Sequence, residues 1–543
     1  MQIFSFSPFG YEGSLVTVEV DLRRGIPAVD IVGLADGAVK ESRERMRSAI
    51  RNSNYEFPME RVLISLSPAD LKKEGAGFDL AVALAVLAES DNSSSHTGNC
   101  SSEKSICDFG DGILVMGELE LSGKVRAVRG VHAAASTAIA SGIRYCIVPR
   151  ENAGEAREVD GMKVFAAETL TEAFESLRDE KLFTSLETKR GQGVVPDGFV
   201  MLDGVLFSKK DEQFDFSLVK EQKTLVRALQ VAACGGHNVL SFGPPGCGKT
   251  MCMQRFGELL PALSVEEAYP VTRIYSLAGN LSPNSPLIRK PPFRMPHQTA
   301  SLEGICGGGV NCRPGEISLA HNGVLFLDEA AEFKSSVLQM LRVPLESKCI
   351  SLSRAGRTTC YPANFQLLMA TNPCPCGNYG SVSKVCLCSA RSVELYWKKF
   401  SGPLLDRIDI RVKVEVVENE KQISSADEGR TDVGNENAAD LPCFSTDGLR
   451  KEIARGVLAQ RNRQGFKNAL MNPAQVLEFC RTTKEAGNML EKASEKNEMS
   501  PRALSSCLKV SRTIADMAGS ELIEALHMKE AIEMRSVEGG LNM

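Results

Sequence analysis

Apolar and polar positions alternate over residues 15–20, and short apolar runs recur at 61–66, 113–118 and 144–148. Segments of this kind predict strands. Between them, 39–52 carries charged residues at helical spacing, 78–89 is almost wholly apolar, and 131–140 is rich in alanine; these predict helices. Strands alternating with helices predict an α/β or α+β domain over 1–184. The pattern then changes. A helical segment at 221–233 precedes apolar runs at 238–242, 324–327 and 365–370, each ending in glycine or polar residues. Strands buried on both faces of a parallel sheet read this way. Beyond residue 447 strand patterns give way to helical spacing at 447–462, 473–481, 483–496, 500–518 and 527–534, with Pro473 and Pro501 near helix starts, where proline is tolerated.

Polar, apolar-poor stretches punctuate this pattern. Residues 90–105 read as a surface loop within the first domain, and 185–198 and 418–446 as linkers. The chain divides into 1–184, 199–417 and 447–543, as expected for 543 residues. Its 63 basic and 68 acidic residues give a net charge of −5, so any nucleic-acid contact needs a local basic patch or a pore rather than bulk attraction. No apolar run approaches the ~20 residues of a membrane helix, and no secretory signal is evident, which predicts a cytoplasmic protein with no membrane partner. The 17 cysteines are then expected as reduced thiols, most of them, such as Cys234 and Cys252, as small core residues.

Residues 243–250, Gly243-Pro244-Pro245-Gly246-Cys247-Gly248-Lys249-Thr250, match the phosphate-binding loop G-x-x-x-x-G-K-[ST] at every fixed position, between a strand and a helix. The glycines let backbone N–H groups turn inward around phosphate oxygens. Lys249 supplies charge for the β/γ-phosphates and Thr250 a hydroxyl for Mg²⁺. The run 324–327 delivers Asp328 and Glu329 at a strand end, Asp328 to hold Mg²⁺ through water and Glu329 to orient or deprotonate the attacking water. Asn372 closes the run 365–370 and reads either as a sensor of the γ-phosphate or as a turn former. Arg407 ends a short apolar helix. It reads either as a guanidinium reaching into a neighbour's nucleotide site or as half of an internal ion pair.

Loop, acidic strand, Asn strand, Arg helix and helical end, in that order, resemble the AAA+ ATPases. Residues 293–297 (Phe-Arg-Met-Pro-His), 307–309 (Gly-Gly-Gly), 313–323 (Arg-Pro-Gly-Glu-Ile-Ser-Leu-Ala-His-Asn-Gly), 372–377 (Asn-Pro-Cys-Pro-Cys-Gly), 401–409 and 511–519 resemble the magnesium chelatase-like ATPases of the ComM/YifB family over nearly the whole chain. Gln298 and Met295 depart from that family's usual residues. The resemblance implies an α/β P-loop AAA+ core with a parallel sheet, an α+β Lon-protease-like domain before it, a helical lid after it, and a homo-hexamer with ATP and Mg²⁺ between subunits. It implies that Arg407 is the trans arginine finger and Arg502 the lid's sensor arginine, with Arg512 as the alternative. It also sets the Lon nucleophile position on Gly75 and the Lon base position on His132. With no hydroxyl at 75, no acyl-enzyme route exists, and peptidase activity is not expected.

Cys374, Cys376, Cys386 and Cys388 form two C-x-C pairs, which read as a structural Zn²⁺ site or as an unmetallated loop of reduced thiols. Residues 348–362 alternate, turn at Ala355-Gly356 and alternate again, a hairpin signal flanked by Arg354 and Arg357. The chelatase clade places a pore hairpin here, which makes these arginines candidate DNA contacts, against the alternative of a solvated tip; residues 280–302 resemble its second pore insert. The expected function is an ATP-driven DNA translocase or helicase for branch migration in recombination or competence. The alternatives are protein remodelling, a chelatase-type motor, or a Lon-type protease.

Overall fold

The computed structural model describes residues 1–535 apart from 35–36, 70, 72, 74, 96–105, 186–194, 220–221, 282–286, 310, 355–356, 380–383 and 416–444. The expected linkers at 185–198 and 418–446 and the turn at Ala355-Gly356 lie largely or wholly outside the described residues. So does most of the expected loop at 90–105, although the helix Asp79–Ser95 runs into its start. A helix already nucleated adds each further residue cheaply.

The alternating segment at 15–20 lies within the strand Ser14–Arg23, which buries Val16 and Val18 on one face. It joins a seven-stranded mixed sheet in the order Val29–Val32, Arg61–Ser67, Ser14–Arg23, Ile3–Ser7, Ile113–Val115, Tyr145–Pro149, Lys163–Ala167. The helix Asp79–Ser95 is apolar around its whole circumference from Leu80 to Leu87, and every one of those residues is buried. A helix with no polar face belongs inside a core. The strand expected at 113–118 stops at Val115. Gly117 passes so close to Val125 and Leu80 that a Cβ there would sit 2.9 Å and 3.0 Å from their side chains, and the chain leaves the sheet to form a separate short ladder from Glu118.

The three apolar runs after residue 238 form the middle of a parallel five-stranded sheet. Its order is Phe293–Arg294, Val324–Leu327, Gln366–Thr371, Val239–Phe242, Ile410–Lys413. Every residue of the three central strands is buried, which explains their unbroken apolar character. Phe293–Arg294, within 280–302, is an edge strand, and Arg294 is paired with Glu316 at 2.7 Å. The strand Ile410–Lys413 was not expected, because its sequence mixes Arg and Lys into the pattern.

Among the described residues five α-helices follow: Thr446–Arg463, Pro473–Phe479, Lys484–Asn497, Pro501–Ala518 and Ala525–Glu533. Ser445, Asn472, Thr483 and Ser500 cap the first four by accepting from backbone N–H groups of the opening turn, and Pro473 and Pro501 open their helices. The first and fourth pack on the core helix Lys223–Gly235, where Leu449, Ile453, Val510 and Ile514 join one apolar core with Leu229, Val231 and Cys234.

Candidate active site

Topology assembles the site. The strand ending at Thr371 lies between the strand ending at Leu327 and the strand ending at Phe242. Asp328, Glu329, Asn372 and the loop 243–250 therefore emerge side by side at the carboxyl edge, where open parallel sheets bind ligands. Asp328, Glu329, Asn372 and residues 245–250 of the loop line a cleft of about 370 Å³, a size suited to a small-molecule ligand.

The three glycines of the loop are each constrained, Gly246 by a φ of +82°. At Gly243 an added Cβ would lie 2.1 Å from the Val414 carbonyl oxygen, and Gly248 takes φ +78° to start the helix Lys249–Gln254. Lys249 is buried and its Nζ donates to the carbonyls of Gly243 and Pro244, both at 2.7 Å. Thr250 Oγ1 donates to Asp328 Oδ1 at 3.0 Å, and the Glu329 backbone N–H donates to the same oxygen. Glu329 itself sits at φ +48° with an exposed side chain. A carboxylate beside a hydroxyl fits a Mg²⁺ shell, and a second, exposed carboxylate one residue on fits a water-orienting role.

Arg407 is elsewhere. Its backbone carbonyl accepts from Asn238 Nδ2 at 2.8 Å, before the strands Val239–Phe242 and Ile410–Lys413 begin. It thus marks the amino edge of the sheet, the opposite end from the loop, and a four-residue strand alone separates them by about 13 Å. Its Nη2 lies 2.5 Å from Glu346 Oε1, and Arg502 Nη1 donates to the same oxygen at 2.6 Å. Arg407 Nε is buried without a hydrogen-bond partner among the described residues. The Arg502 and Arg407 guanidiniums hold the Glu346 carboxyl down to about 2. Arg512 is consumed inside the C-terminal helices, donating to Asp516 and to the carbonyls of Ser520 and Glu521.

The four cysteines converge. Cys374 Sγ lies 3.4 Å from Cys376 and 3.7 Å from Cys386, Cys376 lies 3.6 Å from Cys386, and all four sulfurs fall within 4.8 Å of one another. A tetrahedron of Zn–S bonds of about 2.3 Å has S···S edges near 3.8 Å, whereas a disulfide needs about 2.05 Å. The Asn378 backbone N–H and the Cys374 and Cys388 thiols lower Cys376 to about 6, so one thiolate forms readily at neutral pH. The residues fit Zn²⁺. This knuckle also touches the nucleotide cleft, because Gly377 packs so tightly on Pro245 that a Cβ would meet its ring at 2.9 Å.

Family models for the ChlI subunit of magnesium chelatase match residues 18–152 and 215–422, and a model for the C-terminal part of that subunit matches 444–535. The chain is 37% identical to the competence protein ComM of Haemophilus influenzae, over 98% of its own length and 97% of the relative's. It is also 37% identical to YifB of Escherichia coli, over 97% and 96%. The chain belongs to the ComM/YifB family of magnesium chelatase-like ATPases. Membership agrees with the loop and with the carboxylates gathered beside it.

The ComM/YifB chain carries a further feature at its hairpin. Cys349–Arg354 and Arg357–Pro362 pair antiparallel with Arg354 opposite Arg357. Arg354 is exposed, but the Arg357 guanidinium lies 3.8 Å from the Phe9 ring centroid of the first domain. The turn around Phe9 is bound there, with the Tyr11 N–H donating to Thr359 Oγ1 at 3.0 Å, and with Arg273 donating to the carbonyls of Tyr11 and Glu12. No sequence pattern marks Phe9 or Glu346, since each gains its role only from residues far along the chain. Among the described residues, no helix is long and apolar enough to cross a membrane.

Proposed function

We propose that the protein is a ring-forming, Mg²⁺-dependent ATPase, a homo-hexamer, that translocates along DNA and promotes branch migration in recombination or transformation. The observation that carries the shared-site part is the position of Arg407. A guanidinium at the amino edge does not reach the loop of its own chain, so it serves the nucleotide of a neighbour packed against that edge. When bound, Mg²⁺ supplies charge neutralisation and polarises the terminal phosphate. Thr250 and Asp328 hold it, Lys249 binds the phosphates, Glu329 orients the attacking water, Asn372 positions the terminal phosphate, and Arg407 with Arg502 meets the charge that develops during transfer.

The DNA part rests on the hairpin, which in a ring turns the exposed Arg354 to a shared channel suited to a phosphate backbone, with Arg357 held beside it on Phe9, and on the name of the competence-protein relative. The Cys374, Cys376, Cys386 and Cys388 knuckle holds a structural Zn²⁺. The N-terminal domain is Lon-protease-like but inert: Gly75 offers no nucleophile, and His132 is buried with neither ring nitrogen hydrogen-bonded among the described residues.

ATP hydrolysis measured with and without single-stranded and branched DNA tests this reading. Stimulation by DNA supports it. A second reading, remodelling of a protein partner, draws on one observation, the covering of Arg357 by Phe9. Absence of stimulation by any DNA would favour it.

A further inference from the structure

Glu346 lies in the last turn of the short helix Arg342–Ser347, three residues before the first hairpin strand. Three separate parts of the chain meet at its Oε1: the helix that carries it, the turn that carries Arg407, and the first turn of the C-terminal helix Pro501–Ala518 that carries Arg502. The same three residues line a cavity of about 550 Å³ between the amino edge of the sheet and the C-terminal helices, together with Lys348, Lys509 and Asp409. This cavity faces away from the chain's own phosphate loop.

Two guanidiniums that converge on one point repel each other, in a cleft where the carboxylate of Asp409 stands beside the ammonium groups of Lys348 and Lys509. A single carboxylate oxygen between the guanidiniums removes the repulsion and fixes their spacing. Arg407 is the more enclosed of the two, its side chain 10% exposed against 44% for Arg502. The core guanidinium is therefore set by packing, and the C-terminal one is drawn to it through Glu346.

We propose that Glu346 is a positioning residue for hydrolysis at the neighbouring subunit: its carboxylate holds Arg407 and Arg502 as a pair so that both reach the neighbour's phosphates, and it ties the orientation of the C-terminal helices to that of the core. This rests on the reading of Arg407 as a trans residue.

The test uses the full-length Glu346→Gln variant, which keeps the shape of the side chain and removes its charge. The expected result is a fall in kcat of at least tenfold, with KM for ATP within twofold and an unchanged melting temperature. Glu346→Asp, which keeps the charge, should retain a higher kcat than the Gln variant. The discriminating readout is subunit mixing. Lys249→Ala subunits lack a working nucleotide site but carry intact arginines, and Glu346→Gln subunits are the reverse. Mixed before assay, the two should hydrolyse more ATP than the sum of both alone. Recovery with Arg407→Ala plus Lys249→Ala but not with Glu346→Gln plus Lys249→Ala overturns the role of Glu346 and leaves the trans reading intact. Recovery with neither mixture overturns the trans reading itself. A Gln variant as fast as the wild type or the Asp variant also overturns the proposal.

Discussion

Thr250 Oγ1 donates to Asp328 Oδ1 across 3.0 Å, joining the end of the phosphate loop to the end of the neighbouring acidic strand. The bond sets hydroxyl and carboxylate at the separation that two ligands of one octahedral cation require. Asp328→Asn should keep the contact and lose the charge. ATP affinity in EDTA should stay unchanged, whereas the gain in affinity on adding Mg²⁺ should vanish and kcat should fall roughly a hundredfold. Titrations with and without Mg²⁺ check this, and a full Mg²⁺ response in the variant would remove Asp328 from the cation's shell.

Lys249 and Arg407 should fail differently. Lys249→Ala removes the ammonium from the phosphate loop and should weaken ATP binding. Arg407→Ala should leave binding intact and lower kcat by about 10³ or more, as expected for a guanidinium that acts on transition-state charge. Nucleotide binding measured beside hydrolysis separates the two. Normal turnover in Arg407→Ala would refute a site shared between subunits.

The purified protein should contain close to one zinc per chain, and Cys376→Ser should lower that content. Because Gly377 packs on Pro245 and Cys374 follows Asn372 by two residues, loss of the metal should also slow hydrolysis. A shift of about 1 Å at a catalytic group costs roughly a hundredfold. Zinc well below one per chain in the wild type would leave the knuckle a cluster of reduced thiols.

At the hairpin, Arg354→Ala with Arg357→Ala should abolish stimulation of the ATPase by DNA while sparing the basal rate. Phe9→Ala should act in the other direction, freeing Arg357 and raising the affinity for single-stranded DNA several-fold, with a steeper salt dependence because one more phosphate is neutralised. Affinities measured at two salt concentrations decide this, and equal slopes for wild type and Phe9→Ala would mean that Arg357 does not contact phosphate.

His132 links stability to pH. Burial, and secondarily the charge of Arg273, lowers it to about 4 from an ordinary 6.5. The unfolded chain therefore binds a proton between those values that the folded chain refuses. The contribution is complete above pH 6.5 and is lost as pH falls toward 4, by an amount on the order of 3 kcal/mol. His321, also lowered to about 4 by burial, adds to the same slope. Denaturant unfolding across pH 4–7 should show a shallower dependence for His132→Leu than for wild type. An unaltered slope would mean that His132 titrates normally in the folded chain.

Much of this was legible in the sequence for a local reason. The helix Val131–Ala140 and the central core strands declare themselves by spacing and apolar runs, since burial on one face or two imposes its period on neighbouring residues. The strands Phe293–Arg294 and Ile410–Lys413 did not, because a short edge strand with arginine or lysine in it carries no such period. The phosphate loop was read residue by residue, its chemistry being contained in eight consecutive positions.

The sequence by itself determined that residues 243–250 carry the phosphate-loop pattern and that Asp328, Glu329 and Asn372 follow strands. Only the tertiary structure decided that these strands are neighbours, that Arg407 and Arg502 meet at Glu346 on the far edge of the sheet, that Arg512 is spent inside the C-terminal helices, and that Phe9 covers Arg357. Each of those facts is a pairing between residues far apart along the chain, fixed by sheet order and side-chain packing, which leave no periodic mark on the amino acids that take part.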